Sequence, residues 1–294
     1  MPSTSLEPGP LPNLILRNDD STCEIRPTRG GIVTRCALGG IETLYLDEQT
    51  LFDTSVNVRG GVPVLFPVAG RLENDEFIDG THRYPQKQHG FARTLPWEVR
   101  HHGVVGNAAQ ATFELQASDA TRSSFPFSFT LTCEATLSKD RLRLQWKVEN
   151  NDERPMPLHF GLHPYFHVPL PGKVRARVET SASKAFNQKT MTHEPYAAPD
   201  FSVGETTLHL LDHGARGTRL DRGDGRAVQL NWSENFNTLV LWTLPDKPFI
   251  CVEPWSAPSM AATRAYPFRP LQPKTAETVW FSISLDERGA NAKE

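Results

Sequence analysis

Phe125-Pro126-Phe127-Ser128-Phe129-Thr130-Leu131-Thr132-Cys133-Glu134-Ala135-Thr136-Leu137 is the stretch that decides the fold. Every odd position is apolar, and the even positions from Ser128 to Thr136 are polar. Successive side chains of a strand point to opposite faces, so this alternation describes a strand with one buried and one wet face. Ser138-Lys139-Asp140 reads as a short loop. Leu142, Leu144, Trp146 and Val148 then alternate with Arg143, Gln145, Lys147 and Glu149. Together the two runs predict an antiparallel hairpin.

Working outward, Leu239-Val240-Leu241-Trp242 and Phe249-Ile250-Cys251-Val252 are continuous apolar runs joined through Pro245-Asp246-Lys247-Pro248. Strands covered on both faces read this way. Short buried helices are the rival, but brief apolar stretches flanked by proline make poor helices. Val279, Phe281, Ile283 and Leu285 form a last alternating run. The chain's 24 prolines and 20 glycines punctuate it every few residues. No window sustains a helical period with caps, and no linker or repeat divides the chain. The expectation is an all-β protein, a single large antiparallel sandwich over residues 13–286, although a barrel would also fit the turn spacing. Residues 1–12 read as a flexible leader and 287–294 as a frayed tail.

The sequence of 294 residues carries a formal net charge of -3, with an isoelectric point of about 6.4. Neither a basic surplus that would suggest nucleic acid nor an acidic solvating block is present. No apolar run approaches the roughly 18 residues of a membrane span, and the N-terminus lacks the basic and apolar regions of a secretory signal. The 4 cysteines, Cys23, Cys36, Cys133 and Cys251, are far apart. No C-x-x-C spacing suggests a zinc ribbon or dithiol centre, so they read as reduced thiols in a cytoplasmic protein.

Two residues stand in awkward places. His163 lies in the apolar, proline-rich segment Leu158-His159-Phe160-Gly161-Leu162-His163-Pro164-Tyr165-Phe166, and Glu253 ends an apolar strand before Pro254-Trp255. Burying either group costs free energy unless it is paired or hydrogen-bonded. Held together, an imidazole and a carboxylate are the minimum equipment for general acid–base chemistry. A satisfied core histidine and a strand-end carboxylate in a structural network are the plainer alternatives. His159 and His167 flank His163 at four-residue spacing, but Pro157 and Pro164 argue against the helix that would make this a metal face. Arg59-Gly60-Gly61-Val62-Pro63 is either a turn entering a strand or a close approach to a ligand. Gln88-His89-Gly90-Phe91-Ala92-Arg93 concentrates an amide, an imidazole and a guanidinium in what is otherwise an exposed loop. Arg71 reads as a surface arginine.

Taken together, these segments resemble the aldose 1-epimerase (galactose mutarotase-like) superfamily, closest to its glucose-6-phosphate 1-epimerase branch. The resemblance rests on Arg59-Gly60-Gly61-Val62-Pro63 with Phe66-Pro67, on Gln88 to Arg93 followed by Trp97, on His163-Pro164-Tyr165-Phe166, and on Cys251-Val252-Glu253-Pro254-Trp255. The motifs occur in the family's order and span the chain between its two tails. The resemblance implies a β-supersandwich with an open sugar-binding cleft and no cofactor or metal requirement. Glu253 would be the catalytic base and His163 the acid. His89 would position sugar hydroxyls. Arg59, Arg93 and Gln88 would line a phosphate-accepting part of the cleft, and Arg71 would contact hydroxyls. The partner would be a small-molecule sugar or sugar phosphate, bound by a monomer or weak dimer. The alternative is a carbohydrate-binding or regulatory protein on the same fold, without turnover. Two departures concern the substrate. Gly204-Glu205-Thr206-Thr207-Leu208-His209 has no Asp where the sugar-phosphate branch often carries one, and His-Pro-Tyr-Phe replaces the His-Thr-Tyr-Phe common there.

Overall fold

A computed structural model describes residues 1–259 and 269–286; the expected tail at 287–294 lies outside the described residues. The alternating hairpin forms from strands Phe129–Leu137 and Arg141–Asn150, with Cys133 opposite Trp146. Its first strand starts later than the alternation suggests. Phe125 and Phe127 are buried but precede the ladder, because Pro126 between them has no N–H to donate. Their rings instead join Phe66, Phe77 and Phe129 in an aromatic cluster, with Phe125 and Phe127 4.8 Å apart.

The hairpin lies inside an eight-stranded antiparallel sheet. Its order is Arg177–Val178, Gly217–Asp221, Ala227–Trp232, Ala276–Leu285, Arg141–Asn150, Phe129–Leu137, Ala108–Gln116 and Glu98–Val105. A second eight-stranded sheet runs Thr192–Pro195, Lys184–Asn187, Thr206–Leu210, Thr238–Thr243, Phe249–Trp255, Gly161–Leu162 and Val64–Leu65, with Tyr165–His167 also paired to Phe249–Trp255. One contiguous core joins the two sheets. It holds Leu131, Cys133, Leu144, Trp146 and Phe281 from the first, and Leu239, Leu241, Ile250 and Val252 from the second. The continuous apolar runs are thus covered on both faces. Ile250 and Val252 face this core, while the alternate residues Cys251 and Trp255 pack into smaller clusters on the opposite face. That outer face becomes the floor of a cleft.

The leader expectation is corrected. Ser3–Glu7 is a strand paired with Asn13–Asn18, at the end of a five-stranded sheet that continues through Ser21–Arg26, Ile32–Leu38 and Ile41–Glu42. It covers backbone groups that would otherwise form a bare sheet edge. Thr4 Oγ1 also bonds His102 Nδ1 at 2.9 Å. Such an edge strand needs little apolar content of its own, so its composition resembles that of a loop. The helices among the described residues are short pieces such as Glu48–Phe52 and Asp119–Arg122, and no helix is long and apolar enough to cross a membrane. All four cysteines are free and buried.

Candidate active site

Strand register brings His163 to Glu253. On Phe249–Trp255, Trp255 pairs with Gly161 and Cys251 pairs with Tyr165. The register is the same on both sides of the gap, so His163 falls directly opposite Glu253. Cross-strand neighbours share a face of the sheet, and the side chains meet with His163 Nε2 3.5 Å from Glu253 Oε1. Pro164 cannot donate to the ladder, and the pairing opens there. The segment is held from its other side, where His163 N–H donates to Pro63 O at 3.0 Å and Tyr165 N–H to Gly61 O at 2.9 Å.

That support explains the paired glycines. Gly61 sits at φ +63°, and a Cβ there would lie 2.1 Å from Val33 O. The close approach foreseen for this segment is therefore to the protein's own backbone. Gly161 has a similar role, since a Cβ on it would meet Trp255 Cδ1 at 2.9 Å.

His89 is placed by a different device. It adopts φ 68° and is followed by Gly90 at φ 69°, a left-handed pair that only surrounding structure can hold. His89 N–H donates to Gly70 O at 2.8 Å, and Gly70 N–H donates to His89 Nδ1 at 2.9 Å. With Nδ1 accepting, the neutral ring carries its proton on Nε2. That atom lies 3.1 Å from the Gln88 side-chain amide, which can accept through its oxygen once turned. His89 packs edge-on against both His163 and Trp255, with ring centroids 5.6 Å away in each case. His163 in turn stacks on Tyr165 at 4.8 Å, with an interplanar angle of 12°.

Burial sets the electrostatics. Glu253 is 1% exposed, and desolvation pushes its carboxyl well above the usual carboxylate range, with Trp255 and the Arg93 guanidinium pulling it partly back. Burial pushes the His163 imidazole down to about 3, with Arg93 and Arg59 adding to the shift. His89 is lowered as well, first by burial and then by Arg93. Arg93 is itself lowered by burial to about 10 and so remains cationic at neutral pH. Among the described residues, Glu253 Oε2 and His163 Nδ1 have no hydrogen-bond partner. Buried polar atoms left unpaired in this way are unusual in a purely structural network.

Arg59, Arg71, Gln88, His89, Arg93, His163 and Glu253 all line one cleft of about 1430 Å³. They do so unequally. His163 and Glu253 form the floor. Arg93 is half-buried and donates from Nη2 to Gln88 O at 2.9 Å. Arg59 is exposed on the rim, 5.8 Å from the Trp242 ring centre. Arg71 is also exposed, 3.4 Å from Asp75. The flanking histidines do not converge with His163. His159 lies in the core, where Nδ1 accepts from Ala69 N–H at 3.3 Å and Nε2 donates to Ala257 O at 2.8 Å. His167 meets Arg222 at 3.0 Å.

The sequence reading missed several lining residues, among them Lys87, Gln188, His209 and Trp242. His209 is 1% exposed and lies in the same row across the sheet as Glu253, since Val240 pairs with both. Burial lowers it to about 4. Its signal was available, because it is a polar residue between Leu208 and Leu210, as Glu253 is within its own apolar strand. Trp242 sat in an apolar run that carries no mark of a cleft.

Residues 13–281 match the aldose 1-epimerase family. The "Putative glucose-6-phosphate 1-epimerase" of Salmonella typhimurium is 34% identical over 131 residues, a stretch covering 45% of this chain and 40% of that protein. Among solved structures, the Slr1438 protein of Synechocystis sp. PCC 6803 superposes with a TM-score of 0.89 at 31% identity, covering 96% of this chain and 98% of that one. A galactose mutarotase-like protein of Clostridium acetobutylicum gives a TM-score of 0.83 at 18% identity, covering 96% and 98% of the two chains, and shares the fold. The supersandwich, its cleft and the family match over nearly the whole chain agree: this chain belongs to the aldose 1-epimerase family of isomerases.

Proposed function

We propose that the protein is a cofactor-independent aldose 1-epimerase that interconverts the α and β anomers of a hexose or hexose 6-phosphate. The observation that carries this reading is the His163–Glu253 pair, 3.5 Å apart at the floor of a cleft. Glu253 removes the proton of the anomeric hydroxyl while His163 protonates the ring oxygen. The bond from C1 to the ring oxygen breaks, and C1 becomes the aldehyde carbon. Rotation about C1–C2 presents the other face, and the two groups exchange roles to close the ring.

The electrostatics favour the middle of this sequence. The reactive pair holds one proton, as imidazolium facing carboxylate before ring opening and as neutral imidazole facing carboxylic acid after it. Burial disfavours charge on both groups. Ring opening therefore moves the pair toward the state that its environment prefers, which lowers the open-chain intermediate relative to the closed sugar. The Arg93 guanidinium acts in the other direction on Glu253 and keeps the ionised form within reach. His89 offers a fixed Nε2–H donor beside the pair.

The rim supports a phosphorylated substrate. Arg59, Arg71, Lys87 and Arg93 line the cleft against the carboxylates of Glu205 and Glu253, in a chain whose net charge is -3. Arg93 and Arg59 are the contacts assigned to the phosphate, because both are guanidinium groups lining the cleft that holds the pair. Exchange NMR of the anomeric protons tests the proposal, using α-glucose 6-phosphate, α-glucose and α-galactose. Acceleration of at least one exchange, lost in Glu253→Gln and His163→Ala, is expected. A chain that binds these sugars without accelerating exchange would be a binding protein instead.

A further inference from the structure

A third group, which the proposed epimerisation does not use, lies just beneath the cleft floor, fully buried beside Tyr165 and Phe249. Cys251 precedes Glu253 by two residues on the same strand, so both point to one face of the sheet. Tyr165 pairs with Cys251 just as His163 falls opposite Glu253. One ligating atom each from His163, Cys251 and Glu253 lies within 4.8 Å of the others. We infer that these three side chains form a capture site for a thiophilic divalent cation such as Zn²⁺, whose binding silences the acid–base pair.

The donor set and charge favour zinc over the hard cations. Thiolate, imidazole and carboxylate suit zinc, whereas calcium and magnesium prefer all-oxygen sites. One thiolate and one carboxylate cancel the ion's two charges, which matters where Glu253 is 1% and Cys251 0% exposed. Arg93 and Arg59 face the same cleft and oppose a cation, so the two anionic ligands are both needed. Tetrahedral zinc at ordinary bond lengths places its ligand atoms about 3.3–3.6 Å apart. The His163–Glu253 contact is already 3.5 Å, and the thiol must close by about 1.2 Å or less, within reach of side-chain rotation. The fourth position would open toward the cleft, as in zinc sites with three protein ligands. Glu253 Oε2 supplies a separate indication, since it is buried without a partner among the described residues and a carboxylate can ligate through either oxygen. Binding releases the thiol proton and the proton shared by the pair. His163 and Glu253 can then neither accept nor donate.

The metal site stands on this geometry alone, while the silencing rests on the proposed epimerase reading. The test titrates the whole chain with Zn²⁺ by calorimetry and with Co²⁺ by near-ultraviolet absorption. Wild type is compared with Cys251→Ala and with Cys251→Ser, which keeps the side-chain shape. Wild type is expected to bind one Zn²⁺ and to show a thiolate-to-cobalt charge-transfer band. Both variants should lose the band, and Cys251→Ala should bind Zn²⁺ about tenfold or more weakly. Sugar-anomer exchange by wild type should fall with added Zn²⁺ and return with chelator, whereas Cys251→Ala should keep its basal rate and resist the metal. Equal Zn²⁺ affinity in wild type and Cys251→Ala, or no cobalt–thiolate band in wild type, would overturn the site. A wild type that shows the band but never accelerates exchange would establish the metal site and overturn the silencing together with the epimerase reading.

Discussion

Replacing Glu253 with glutamine keeps the volume of the side chain and removes its charge, and the structure predicts opposite effects on catalysis and stability. Loss of a general base lowers turnover by about 100- to 10,000-fold. Stability should move the other way as pH rises. The Glu253 carboxyl is raised in the folded protein because it is buried. Its contribution to stability is therefore fully present below the unfolded value, given by the reference of 4.5, and is lost as pH climbs through the folded value. Over that window the wild type should lose about 1.4 kcal/mol per pH unit relative to Glu253→Gln. Both proteins carry the same histidines, so acid-side losses from those groups cancel in the comparison. Urea denaturation of both proteins from pH 4.5 to 8 measures the difference, with exchange NMR run on the same samples. The expected result is an inactive variant whose relative stability grows with pH. A stability difference that stays constant across the window, or a variant that turns over like wild type, would refute the assignment of Glu253 as a desolvated base.

Arg93→Ala removes a charge-assisted contact worth about 1.5–3 kcal/mol; KM for glucose 6-phosphate should rise about 10- to 150-fold with KM for galactose little changed, and equal losses on both sugars would remove the phosphate role. His159 is lowered to about 3, chiefly by burial, so its contribution to stability is present above the unfolded value of 6.5 and is lost as pH falls from there toward 3. His159→Gln should flatten the acid-side fall in stability by about 1.4 kcal/mol per pH unit, as read from denaturation midpoints. Lys173 is fully buried, and its Nζ donates to Thr243 Oγ1 at 2.8 Å, Leu244 O at 2.5 Å and Lys247 O at 2.8 Å. Lys173→Met strands these acceptors and should cost about 2–4 kcal/mol, seen as a lower Tm.

Much of the sandwich could be read from side-chain alternation because burial on one face leaves a periodic trace. Phe129–Leu137 and Arg141–Asn150 show it plainly, and the unbroken apolar runs around Leu241 and Ile250 marked strands covered on both sides. The edge strand Ser3–Glu7 left no such trace. Its pattern of exposure is mostly that of surface, and its order comes from backbone bonds to Asn13–Asn18, which every residue type can make. The start of the hairpin was misplaced for a related reason. Phe125 and Phe127 are as deeply buried as Phe129, and burial alone does not distinguish a strand from an aromatic loop packed beneath it.

The site shows the same division in sharper form. Unpaired polar residues in apolar surroundings identified His163 and Glu253 individually, but their meeting depends on register, which side-chain chemistry specifies only through distant partners. Here Gly161 fixes it on one side by leaving room for the Trp255 ring, and Tyr165 fixes it on the other by pairing with Cys251. A slip of one residue would turn His163 away from Glu253 and put its ring into the core. The His163–Glu253 distance is thus set by strand pairing on either side of the gap at Pro164, while Arg59, Arg71 and Gln88 lie on exposed segments of the cleft lining. On the proposed reading, chemistry anchored on strands and recognition carried on exposed segments allow substrate preference to change without moving the proposed acid–base pair. Sugar identity, for that reason, is the property that the motifs specify least.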